Sequence, residues 1–157
     1  MEPRFRLFDS PTAAKVAKRF FHTAMALEES TLPKTLRELV QLRVSQINGC
    51  GFCADVHNKE AAAAGESAVR LGLVATWRHT TVFTEAERAA LALAEEGTSL
   101  GERGVTDETW AEVRKHFDDD EVGALVCLVS LINAATRMGV IVHTPGGSYE
   151  PGAFAGL

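Results

Sequence analysis

The chain has no run of basic residues. Its 157 residues carry 16 Lys+Arg against 21 Asp+Glu, which leaves nothing to neutralise a phosphate backbone, so nucleic acid is not an expected partner. A continuous apolar segment is missing from the first twenty residues, where Arg4, Arg6, Lys15, Lys18 and Arg19 interrupt the sequence; this predicts no secretory signal and a cytoplasmic location. No membrane span is expected. The longest apolar-rich stretch, Val122 to Val142, is broken by Ser130, Asn133, Thr136 and Arg137 and reads as a buried helix. Cysteine is scarce too. Three cysteines cannot build a disulfide scaffold, and in a chain without an export signal they are expected to be mostly reduced. Nothing alternates with period two for long, so the predicted fold is all-α. Neither repeat nor linker divides the chain, which reads as one compact multi-helix domain over residues 1–157.

What is present is a series of helix signals. Ser10-Pro11 supplies an N-cap and a first-turn proline ahead of Val16, Ala17, Phe20, Phe21, Ala24 and Leu27, spaced for an amphipathic helix of about five turns. Pro33 can open a second helix, whose apolar residues spread too widely for one stripe and predict burial on most sides. Asn48-Gly49 ends it, and an Ala-rich helix restarts at Cys50 and stops at Gly65. Glu66 to Thr81 reads as a shorter helix followed by a loop anchored by Trp77. Thr84 to Glu87 form a capping-box pattern, Thr106 caps a further helix, and the acidic run Asp118 to Glu121 suits the start of the long apolar helix to Val142. From His143 the chain is loop. Cys127, flanked by Leu125, Val126, Leu128 and Val129, is expected to be an inert core thiol.

The chemistry concentrates in Glu38, Cys50, Cys53 and His57. On one helix Cys50, Cys53 and His57 fall within an arc of about 60°. Two thiols so spaced can close a disulfide, and an imidazole within reach can take a thiol proton. His57 is four residues from Cys53 and seven from Cys50, which makes Cys53 the thiolate that meets an oxidant and Cys50 the resolving thiol. Glu38, among apolar neighbours on the preceding helix, needs a partner, and His57 is the natural one if the two helices pack side by side. Other readings stay open: a zinc-holding or redox-responsive interaction module, or a pair of small buried thiols.

The run from Glu38 to His57, with Cys50-Gly51-Phe52-Cys53 inside it, resembles the core motif of the alkylhydroperoxidase D group within the carboxymuconolactone decarboxylase superfamily. Thr84 to Leu93, Asn133 to Arg137 and the Pro145 to Pro151 tail are also similar to that group. The resemblance implies an all-helical subunit assembled into trimers or hexamers. It further implies a thiol-dependent peroxidase that uses no metal or haem, takes a peroxide as substrate, and is reset by an external dithiol or disulfide reductant. Cys53 would be the peroxidatic cysteine, Cys50 the resolving one, and Glu38 and His57 a proton relay. Well-known members carry a second histidine between the cysteines; here Phe52 stands in its place and is expected to shield the dithiol or line an apolar pocket. The superfamily's decarboxylases, which generally lack the cysteine pair, imply a cofactor-free lyase as an alternative.

Overall fold

In the computed structural model, which describes residues 2–154, the chain forms seven α-helices and, among those residues, no strand. These are α1 (Pro11–Glu28), α2 (Lys34–Ile47), α3 (Gly51–Ala63), α4 (Ala68–Leu73), α5 (Glu85–Thr98), α6 (Asp107–His116) and α7 (Asp119–Val142). The capping residues act where the sequence places them. Ser10, Thr84, Thr106 and Asp118 each accept the amide three residues on, and Thr84–Glu87 and Asp118–Glu121 close both halves of a capping box. The acidic run at 118–121 therefore starts a helix, each cap being worth about 1 kcal/mol.

α2 is the central element and packs against α3, α5 and α7. Its two sides serve different clusters, which is why its apolar positions make no single stripe. Leu36, Val40 and Val44 join Leu93, Val113, Leu125 and Ile132 from α5, α6 and α7. Leu39 and Leu42 join Ala61, Leu71, Val74, Trp77 and Leu91. Trp77 is held within a short 3-10 turn, Val74–His79, that continues α4 where the sequence suggests a loop. Its indole N–H donates to Glu95 Oε1 at 2.9 Å, and Arg43 and Arg78 bind the same carboxylate. Burial alone would raise the Glu95 pKa, but these three donors outweigh it and hold the carboxyl below its ordinary value.

A second polar knot ties α2 to α5 and α7. Asn48 donates to Asn133 Oδ1 at 2.8 Å and to Thr136 Oγ1 at 2.9 Å. Asn133 in turn donates to Thr98, and Arg137 donates to the Asn133 carbonyl and side-chain oxygens. Asn133 and Arg137 thus satisfy buried polar groups, and among the described residues no buried side-chain nitrogen or oxygen lacks a partner.

α7 departs from the expectation of a buried helix. By length and composition it could cross a membrane, yet only 39% of its most apolar 18-residue window is buried. The core takes Val122, Leu125, Leu128, Val129 and Ile132, while Val126, Val140 and Ile141 are exposed. Cys127 is exposed as well and is not a core thiol. It lies about 100° round the helix from Val126, on the side turned away from the core, so apolar neighbours in sequence do not enclose it.

Candidate active site

The site begins where α2 ends. Gly49 adopts φ +68°, a conformation open to glycine, and lets the Gly49 amide reach the Gln46 carbonyl at 3.2 Å and the Cys50 amide reach the Ser45 carbonyl at 3.0 Å. This is the Schellman closure of a helix C-terminus. Cys50, its last residue, is also the N-cap of α3. There its Sγ accepts the Cys53 amide at 3.2 Å. One residue therefore finishes α2 and opens α3, and its sulfur sits at a helix N-terminus, where negative charge is favoured.

Cys50 and Cys53 are joined in a disulfide. The structure brings the two sulfurs together, and separately brings Glu38 and His57 together. Glu38 Oε2 lies 2.8 Å from His57 Nδ1 across the α2–α3 contact, with both side chains largely buried. One ring nitrogen is committed to the carboxylate, which fixes the imidazole's orientation and leaves Nε2 for other partners. Glu38 is buried, unlike an ordinary exposed helix residue. His22, His79, His116 and His143 are all exposed, as expected for surface positions.

The pair is more enclosed than dithiol chemistry at a wetted surface requires. Cys50 is 2% and Cys53 7% exposed. From α7, Gly139 leaves no room for a side chain: a Cβ there would lie 2.9 Å from Cys50 Sγ and 3.7 Å from Cys53 Sγ. On another side the chain after α7 crosses the first turn of α3. At Gly146 a Cβ would lie 2.7 Å from the Gly51 carbonyl carbon and closer still to its oxygen, a clash with backbone that only glycine avoids. Phe52 packs edge-on to Phe154 with ring centroids 6.4 Å apart, and Phe154 also meets Phe21 and Tyr149.

The segment from residue 144 to 154 is loop, as its composition predicts, but it is specifically bound. Asp55 Oδ2 accepts the amides of Gly147 and Tyr149 at 2.7 and 3.0 Å. Lys59 donates to the carbonyls of the same two residues, and Glu60 Oε1 accepts the Tyr149 hydroxyl at 2.6 Å and the Gly152 amide at 2.7 Å. Burial would raise the Glu60 pKa, but Tyr149, Gly152 and Lys34 outweigh it and lower it to about 2. Burial and the neighbouring Glu60 push the Tyr149 phenol upward. Sequence reasoning missed Asp55, Lys59, Glu60, Gly139, Gly146 and Tyr149. The signals were three charged residues within an Ala-rich helix and the family resemblance of the Pro145 to Pro151 tail, with nothing to say that the two bind each other. Among the described residues, no three His, Cys, Asp or Glu side chains are grouped to hold a metal ion.

Residues 11–96 match the model of the carboxymuconolactone decarboxylase family. The chain belongs to this family. Within it the chain is alkylhydroperoxidase D-like. It is similar to the uncharacterised protein YdfG of Bacillus subtilis, 35% identical over 113 residues that cover 72% of this chain and 77% of that protein. The alkyl hydroperoxide reductase AhpD of Rhodopseudomonas palustris is 37% identical over 98 residues, covering 50% of this chain and 53% of the relative, so the chain spans about half the length of that protein. Among solved structures, a protein of unknown function from Agrobacterium tumefaciens, assigned as a candidate antioxidant defence protein AhpD, superposes with a TM-score of 0.87 at 29% identity, covering 94% of this chain and all of that one.

Proposed function

We propose that this chain is a thiol-dependent peroxidase of the alkylhydroperoxidase D kind. The observation that carries the proposal is the Cys50–Cys53 disulfide at the start of α3, with His57 one turn further along the same helix and paired with Glu38 of α2. In the reduced protein the Cys53 thiolate attacks one oxygen of a peroxide. The O–O bond breaks, Cys53 becomes a sulfenic acid, and the departing alkoxide or hydroxide takes a proton supplied through His57 and Glu38. The Cys50 thiol then displaces water from the sulfenic acid and forms the disulfide. The helix N-terminus favours the thiolate at Cys50 whenever that sulfur is released.

The experiment is peroxide consumption by wild type, Cys53→Ser and Cys50→Ser in the presence of a dithiol. Both variants are expected to lose turnover, with a sulfenic acid trappable only in Cys50→Ser. Peroxide turnover that survives the loss of both cysteines would overturn the proposal, and decarboxylation of a lactone acid by that double variant would instead indicate a lyase. The working unit we propose is a homo-oligomer, supported by the exposed Val126, Val140 and Ile141 of α7 and by the trimers and hexamers that the family resemblance implies.

A further inference from the structure

An oxidised pair must be reset, and resetting needs access. A thiolate attacks a disulfide in line with the S–S bond, yet both cysteines here are buried. Three elements surround the α3 turn that carries them: α2 ends at Cys50, α7 sets Gly139 against both sulfurs, and a third crosses Gly51. α2 and α7 belong to the core and cannot withdraw without opening it. The third is the segment from 144 to 154, of which only Tyr149 is buried; it is tied to α3 by polar bonds from Asp55, Lys59 and Glu60 and, at its far end, by the packing of Phe154 on Phe52. Several of those bonds are at the surface, where water replaces them at small net cost. Local opening draws on segments whose hydrogen bonds are exposed and whose residues are mostly outside the core.

We propose that residues 144–154 are a strap that gates thiol–disulfide exchange: an external dithiol reaches the Cys50–Cys53 bond only when the strap has lifted from α3. This rests on the dithiol cycle proposed above. With the strap lifted, one thiolate of the external dithiol attacks Cys50 Sγ, the Cys50–Cys53 bond breaks, and Cys53 leaves with the electron pair and is protonated. The second external thiolate attacks its partner sulfur in the mixed disulfide and releases Cys50 as a thiolate at the α3 N-terminus. The dithiol loses two electrons and leaves as a disulfide, and the pair gains them. Gly146 and Asp55 are the key positions, because one seats the strap on backbone and the other holds two of its amides.

The test follows reduction of the oxidised full-length protein by dithiothreitol, read by mass after alkylation. Gly146→Ala and Asp55→Ala should each speed reduction about tenfold or more, and hydrogen exchange at the Gly147 and Tyr149 amides should quicken in step. Thr84→Ala is the control: it removes the α5 cap and lowers stability with no contact to the strap, and its reduction rate should match wild type. Rates in both strap variants within about twofold of wild type would overturn the gate, as would equal acceleration by Thr84→Ala. A gate that behaves as expected in a protein that consumes no peroxide would sink the peroxidase reading alone. A disulfide that never forms would sink both.

Discussion

Cys50 shows how much one residue can be asked to do. Its amide closes α2, its sulfur caps α3, and the same sulfur bonds to Cys53. The pairing of Glu38 with His57 works by a simpler logic, since a carboxylate inside the α2–α3 contact needs a hydrogen-bonded partner and the imidazole supplies one at 2.8 Å. If that pair carries protons, Glu38→Gln should keep the fold and lower turnover by roughly 10²- to 10⁴-fold, the usual range for a lost acid–base group. Steady-state peroxide assays across pH, with circular dichroism to verify folding, would check it. Turnover within about twofold of wild type would assign Glu38 a purely structural part.

At the scale of elements, the junction of α3 with the strap at residues 144–154 carries a pH signature. Glu60 has a folded-state pKa lowered from 4.5 to about 2. The carboxylate therefore contributes stability that is fully present above 4.5 and is lost as pH falls through about 2, because the unfolded chain takes up the proton first. Wild type should lose more thermal stability over that interval than Glu60→Gln, by a margin on the order of 3 kcal/mol at most. Parallel melting curves for the two would show that the carboxylate gains nothing from Tyr149 and Gly152. The helices around this junction were legible in the sequence because caps, glycines and apolar spacing are local signals: Ser10, Gly49, Gly65, Thr84 and Asp118 mark ends that the structure keeps. The bonds of the strap were not legible. They join residues about 90 positions apart, and no local pattern encodes that pairing.

Over the whole molecule, sequence reasoning placed the Glu38–His57 and Cys50–Cys53 pairs together because each lies in one helix or across one helix hairpin. It misjudged Cys127 because hydrophobic neighbours in sequence say nothing about which way a helix face points when part of that face is left uncovered. The uncovered part matters. Val126 and Ile141 stand on the outside of α7, 42% and 68% exposed, and a long apolar helix with an open face is the kind of surface that self-association covers. Sedimentation should find wild type as an oligomer and the double variant Val126→Glu, Ile141→Glu as a folded, smaller species. A wild-type monomer would remove the oligomer from the proposed working unit.

The crossing at Gly146 has a practical side. Because residues 144–154 buckle onto the first turn of α3 at Gly51, anything fused behind them, such as an affinity handle or a fluorescent reporter, hangs from the buckle and works it loose. A preparation carrying its handle at the opposite end and one carrying it at the carboxyl end would then differ in how long each keeps its sulfurs oxidised in the same buffer.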